Sequence, residues 1–144
     1  MDSNCVFCKI VSGLIPSHRV GENDGALAFL DIEPLADGHT LVIPKQHRCG
    51  FEDLRDGEVA QVFALAREVS RAQMRTFDPV TATTVGINNG RDAGQLVAHV
   101  HVHVVPRRCD DQGSSVHGIV QAATNADLSE LSRRLGDEII RSGS

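Results

Sequence analysis

The segment Ala98–Pro106, AHVHVHVVP, constrains this chain more than any other. Apolar and histidine positions alternate with period 2 through Val104, the pattern of an extended strand. Val100, Val102 and Val104 fall on one face, and His99, His101 and His103 on the other, neighbours about 7 Å apart. The valine face must pack on something, so this strand belongs to a sheet with a buried side. The other face is a row of three imidazoles, drawn from only seven histidines in 144 residues.

Around this strand the pattern is mixed. Turn signals cut the first third into short pieces: Gly13, Pro16, Gly21, Asn23-Asp24-Gly25, Pro34, Asp37-Gly38 and Pro44. Two apolar runs lie between them, Ala26–Asp31 and Thr40–Ile43, and read as adjacent antiparallel strands. A short helix is expected over Val6–Ser12. From Val59, the positions Val59, Val62, Phe63, Ala66 and Val69 fit one face of a helix. Asp56 or Asp53 is expected to cap it, and Asp78-Pro79 to end it near Phe77. Thr81–Asn88 reads as a strand stopped by Asn89-Gly90. A last helix is expected over Asp127–Arg141, with Leu128, Leu131, Leu135 and Ile139 on one face. Strands grouped around an inserted helix, without repeated crossovers, imply α+β with an antiparallel sheet. No linker marks a boundary, so residues 1–144 are expected to form one domain, with a loop over 110–123.

Composition narrows the functional classes. Apolar residues make up 41% of the chain, and with the 13 Gly of 144 residues the share is about 50%, in the globular range and enough for a core. A net charge of −5 argues against a nucleic-acid coat, and no Trp, no Tyr and five Phe leave no stacking platform for single strands. No apolar run reaches transmembrane length. Met1-Asp2-Ser3-Asn4 lacks an apolar signal region, so a cytoplasmic location with reduced thiols is expected.

The chemistry that suits the histidine face is attack on phosphorus. A neutral imidazole is a good nucleophile near pH 7, and phosphohistidine is labile enough to turn over. Neighbouring imidazoles can donate to phosphoryl oxygens or to a leaving group. The stretch Asn88-Asn89-Gly90-Arg91-Asp92-Ala93-Gly94-Gln95 feeds the strand and can offer amides to an anion. Two other readings of the face are an exposed polar strand surface and a catalytic metal held by all three histidines. His18 and His117 stand outside any motif.

The pattern Gly94-Gln95-x-x-x-His99-x-His101-x-His103 resembles the histidine-triad (HIT) family of nucleotide hydrolases and transferases. Phe29-Leu30-Asp31-Ile32-x-Pro34, Gly38-His39-Thr40-Leu41-Val42-Ile43-Pro44-Lys45-x-His47 and Cys5-Val6-Phe7-Cys8-Lys9-Ile10 extend the resemblance over roughly residues 5–108. It implies a HIT-like fold: a five-stranded antiparallel sheet, a long middle helix and a C-terminal helix. It implies His101 as the nucleophile, His103 at the phosphate and His39 as a supporting fourth histidine. Asp31 would hold the ribose hydroxyls and Ile32 would line the nucleoside pocket. Asn88, Gly94, Gln95 and Leu96 would line the phosphate and leaving-group side. Leu96 stands where one branch of the family has Ser. A purine nucleotide or conjugate as substrate and a homodimer are further implications. The alternative in another class is a nucleotide-binding module with negligible turnover that acts through protein partners.

Cys5-x-x-Cys8 puts two thiols on one turn, half of a tetrahedral zinc site. His47 and His99 are the candidates for the other half, with Cys49 the rival to His47, and the family resemblance supports the two histidines. Four protein ligands would make the zinc structural. The other readings are two uncomplexed thiols or a redox pair. Cys109 reads as an ordinary thiol.

Overall fold

The computed structural model describes residues 1–143 and falls into two compact units, Met1–Gln112 and Gly113–Ser144. The first unit contains a five-stranded antiparallel sheet of order β1-β2-β3-β5-β4. Its strands are β1 (Arg19–Glu22), β2 (Ala26–Leu30), β3 (Thr40–Pro44), β4 (Ala82–Gly86) and β5 (Val102–Arg107). Helix α1 (Val6–Val11) precedes the sheet, and α2 (Asp56–Thr76) joins β3 to β4. The α+β expectation holds, as do the neighbouring antiparallel strands from the two early apolar runs.

Strand alternation sends consecutive residues to opposite faces, and each face has its own core. On one side Ala26, Ala28, Val42, Val102 and Val104 meet Val62, Leu65, Ala66 and Val69 of α2. On the other, Leu27, Phe29, Leu41 and Ile43 meet Cys5, Phe7, Cys8 and Ile10 of the α1 region. The central strands β2 and β3 are covered on both sides, so they read as unbroken apolar runs. The valine face of the histidine strand therefore lies under α2, and the histidine face lies on the α1 side.

Three local expectations need correction. Strand β5 begins at Val102, not Ala98. Its ladder with β3 pairs Thr40 with Val104, Leu41 with His103 and Val42 with Val102. Two residues on, Pro44 has no N–H to offer, and the Val100 N–H instead meets the Arg48 carbonyl at 2.8 Å. Second, neither aspartate caps α2. Arg55 is the N-cap, and Glu58 reaches back to its backbone N–H at 2.9 Å. Third, Phe63 is turned out of the core at 37% exposure, and Leu65 takes that place. The helix buries Val62, Leu65, Ala66, Val69 and Gln73, so Val62, Ala66 and Val69 lie where the spacing put them and the buried face is turned by about 40° toward Leu65.

The second unit contains one turn, Val116–Gly118, and α3 (Leu128–Ser142). Asp127 caps α3 by accepting from the Ser129 and Glu130 N–H groups. Leu128, Leu131, Leu135 and Ile139 form the expected stripe, and all four are exposed. No described helix is long and apolar enough to cross a membrane.

Gly38 sets the entry to β3. Its φ of +95° is a left-handed backbone, and an added Cβ would collide with the Phe77 ring. Gly57, on the first turn of α2, has nothing within 4 Å of such a Cβ. Gly38→Ala is expected to cost about 2–4 kcal/mol, combining left-handed strain with overpacking. Gly57→Ala should instead gain about 0.5–1 kcal/mol from helix propensity. Urea midpoints of the two variants, moving in opposite directions at constant m, check both statements.

Candidate active site and metal centre

The short strands bring four histidines to one side of the sheet. His39 precedes β3, His103 lies within β5 opposite Leu41, and His99 and His101 lie in the segment entering β5. His39, His99 and His101 are buried and His103 is half-buried. Sequence reading grouped the triad with His39, and the structure brings all four together.

Each ring's hydrogen bonds fix where its proton sits. The Leu35 N–H donates to His39 Nδ1 at 3.1 Å, so that nitrogen is bare and Nε2 carries the proton. His39 Nε2 then donates to His103 Nδ1 at 2.9 Å, which leaves the His103 proton on Nε2. His101 Nδ1 lies 2.7 Å from the His99 carbonyl, an acceptor, so His101 carries its proton there and its Nε2 is a bare lone pair. The His101 and His103 rings are 5.1 Å apart, centroid to centroid. A bare nitrogen thus stands beside a protonated one, the pairing that a nucleophile and a leaving-group donor require.

Burial also favours the neutral forms of His39 and His103. Desolvation is the largest cause lowering the His39 pKa, opposed by Asp31, whose Oδ2 is 3.7 Å from His39 Nε2. Desolvation, with help from His101 and His39, pushes His103 down to about 4. Asp31 has a second duty, because its Oδ1 accepts from the Glu33 N–H at 2.9 Å and shapes the turn beyond β2. Ile32 and Leu35 on that turn are exposed, at 88% and 79%.

Two residues that sequence reading did not single out hold this arrangement. Phe7, between Cys5 and Cys8, sets its ring edge-on to His101 at 5.2 Å and to His99 at 5.8 Å. Gln73 reaches from α2 and donates through Nε2 to the carbonyls of Gly38 at 2.8 Å and Val104 at 2.9 Å. Those carbonyls adjoin His39 and His103. The available signal was a Gln on the apolar stripe of a helix, where an unpaired amide is costly.

On the loop side, Gly90 and Gly94 take left-handed φ values of +89° and +90° around the turn Arg91–Ala93. Asn88 approaches Gly94, and Leu96 is 94% exposed. The amide of Gln95 is committed to protein partners, the backbone groups of Gly90, Cys49 and Val97.

Cys5, Cys8, His47 and His99 form a second constellation, with ligand atoms all within 4.8 Å of one another. His99 Nδ1 lies 3.4 Å from Cys5 Sγ and 3.7 Å from Cys8 Sγ, and His47 Nδ1 lies 3.4 Å from Cys8 Sγ. Zn–S and Zn–N bonds of ordinary length at tetrahedral angles put S and N about 3.6 Å apart. The donor set therefore fits zinc. The His99 tautomer fits too: its Nε2 donates to the Pro44 carbonyl at 2.9 Å, which turns a bare Nδ1 toward the thiols. Burial raises the Cys5 pKa, an effect that a bound cation would oppose. Cys49 is not in this group. It is exposed, with its Sγ 3.4 Å from the far nitrogen of His47. Asp31, His39 and His103 form the other described cluster of possible ligand atoms, but the His39 proton there points at His103 and leaves no lone pair for a metal. His101 belongs to neither cluster.

Known proteins are similar to this chain in sequence and in fold. The HIT domain family matches residues 12–110. The adenosine 5′-monophosphoramidase of Schizosaccharomyces pombe is 41% identical over 113 residues, 78% of this chain and 81% of that one. A HIT family member from Bacillus subtilis has a crystal structure that superposes with a TM-score of 0.81 at 35% identity, covering 96% of each chain. A zinc-bound histidine triad family protein from Mycobacterium smegmatis superposes with a TM-score of 0.72 at 36% identity, covering 98% of each.

The neutral histidines imply a pH signature. A lowered folded pKa means that the unfolded state binds more protons between about pH 4 and 6.5, so stability falls as pH falls through that window. His103→Asn should flatten the slope of unfolding free energy against pH there. Urea melts of both proteins at a series of pH values check this, and a slope unchanged by the substitution would count against a neutral His103.

Proposed function

Because this chain belongs to the HIT family, we propose that it is a nucleotide hydrolase or transferase acting at the α-phosphorus through a nucleotidyl-His101 intermediate. The observation that carries the reading is the opposed protonation of His101 and His103, fixed by the His99 carbonyl and by His39. His101 Nε2 attacks phosphorus, forming a P–N bond as the bond to the leaving group breaks. The departing atom takes the proton from His103 Nε2. Water then attacks the nucleotidyl-histidine, giving its proton to the bare His103 nitrogen, and His101 leaves with its lone pair restored. His39 supports the charge that His103 carries in passing.

The S. pombe relative's name makes adenosine 5′-monophosphoramidate the first substrate to try. Asp31 is proposed to take the ribose hydroxyls, the exposed Ile32 to meet the nucleoside, and Asn88, Gly94, Gln95 and Leu96 to border the phosphate and leaving group. A second copy of the chain is proposed to cover the exposed Phe63, Met74 and Val85, which line a hollow beside edge strand β4. Zinc held by Cys5, Cys8, His47 and His99 is proposed to be structural, since four protein ligands complete its coordination.

Purified chain is expected to carry about one zinc per chain, and Cys8→Ser to lose metal and melting temperature together, because binding energy at such a site is folding energy. Metal analysis alongside thermal melts checks this; a metal-free wild type of equal stability would exclude it. His101→Gly should abolish turnover of the phosphoramidate and trapping of a covalent nucleotide while leaving nucleotide binding largely intact. A variant keeping more than about a hundredth of wild-type kcat, a loss under about 2.7 kcal/mol, would show that His101 is not the nucleophile. Wild-type binding without turnover would favour the non-enzymatic module.

A further inference from the structure

Gln95 sits, half-buried, where the Gly90–Gly94 loop meets the segment entering β5. Its amide makes three contacts with backbone groups. Oε1 accepts from the Gly90 N–H at 2.8 Å, and the Gln95 backbone N–H donates to the Gly90 carbonyl at 3.1 Å, so the loop is closed at its base. Nε2 donates to the Cys49 carbonyl at 2.7 Å and to the Val97 carbonyl at 3.0 Å. Cys49 is two residues from His47. Val97 packs against the Cys5, Phe7 and Cys8 cluster, and its carbonyl also accepts the His99 N–H at 2.8 Å. One side-chain amide therefore joins the loop to the two segments that carry His47 and His99.

These segments are otherwise held unequally. The His99 side is buried. On the other side His47 is 22% exposed and Cys49 is exposed. That segment is anchored by the Arg48 carbonyl on Val100 and by the two-pronged Arg48–Glu58 ion pair at 2.8 and 2.9 Å. A metal ion bridging His47 to Cys5, Cys8 and His99 would lock the two segments together, and Gln95 spans both. Gly90 and Gly94 hold positive φ values and can relax to many others, so the loop between them depends on its tethers: Gln95 at one end, and at the other Asn89, whose Oδ1 accepts from the Phe51 N–H at 2.8 Å and whose Nδ2 donates to Glu52 at 2.7 Å.

We infer that Gln95 is a positioning residue that clasps the Gly90–Gly94 loop to the His47 and His99 segments, so that filling the Cys5/Cys8/His47/His99 site stiffens the loop. That the loop receives the substrate's phosphate rests on the function proposed above; the clasp itself does not.

The test uses the full chain as wild type, Gln95→Ala and Gln95→Glu. Glutamate keeps an acceptor for the Gly90 N–H but removes the donor to Cys49, so it isolates the cross-link. Coupling is reciprocal: if metal steadies the loop, the tethered loop must tighten metal binding. Competition with a chelator should show zinc held about fivefold to tenfold more weakly in both variants, the size of one hydrogen bond. In the zinc-loaded proteins, amide hydrogen exchange at Ala93 and Gly94 should rise by a similar factor, about fivefold to tenfold, against an unchanged rate at Val62–Val69 of α2. With adenosine 5′-monophosphoramidate the larger loss should fall on KM, with kcat reduced less. Unchanged zinc affinity in Gln95→Glu, or loop exchange equal to wild type, would overturn the clasp. A collapse of kcat at constant KM would place Gln95 on the reacting atoms and also overturn it. Absence of turnover in wild type would remove the proposed function, while the zinc and exchange measurements would still decide the clasp.

Discussion

The arrangement turns on the residue pair His99–His101. The His99 ring points its bare Nδ1 at two thiols because its other nitrogen is held by the Pro44 carbonyl. The His99 carbonyl, one bond away from the same Cα, accepts a hydrogen bond from the His101 Nδ1–H and so decides which nitrogen of the next ring is bare. A displacement of His99 would disturb both the metal constellation and the tautomer of His101. Pro44 belongs to the same device. Lacking an N–H, it ends the β3–β5 ladder, and the segment from His99 to His101 is released from strict pairing to meet Arg48 and the thiols.

This explains why the sequence pattern was half right about the histidine strand. Period 2 identifies which residues share a face, and that survives over His99, His101 and His103 whether or not a ladder forms. It cannot register that a proline on the partner strand removes the donor the ladder needs. The CxxC spacing was legible for a similar reason, since one turn of chain fixes the two thiols locally. Choosing between His47 and Cys49 as a third ligand required knowing which side of His47 faces α1, a tertiary fact. The histidine assignments came from motif resemblance, and the geometry supports their grouping.

What was not legible is support from the opposite side of the sheet. Gln73 looks like one polar position on an amphipathic helix, yet it is 3% exposed and joins the turn before His39 to the strand after His103. Phe63 looked like core and is exposed, because it lay at one edge of the expected stripe, and a turn of about 40° moves that edge out and brings Leu65 in. Arg48 was passed over entirely. Its side chain fastens the segment to Glu58 at the start of α2, while its backbone receives Val100. Gln73 and Arg48 both work by linking elements distant in sequence, and neither period nor spacing carries that information.

The neutrality of His39 and His103 reaches beyond the site itself. With the paired imidazoles uncharged near pH 7 and Asp31 beside them, the histidine cluster offers directed N–H dipoles rather than cationic attraction. The chain as a whole carries a net charge of −5. Its long-range field therefore opposes an incoming phosphate ester, and recognition must come from contacts made at close range. Added salt shortens the reach of that field to about 8 Å at physiological ionic strength. Association of a multiply charged anion would then quicken as salt rises, the reverse of the behaviour of a site that recruits phosphates with lysine and arginine.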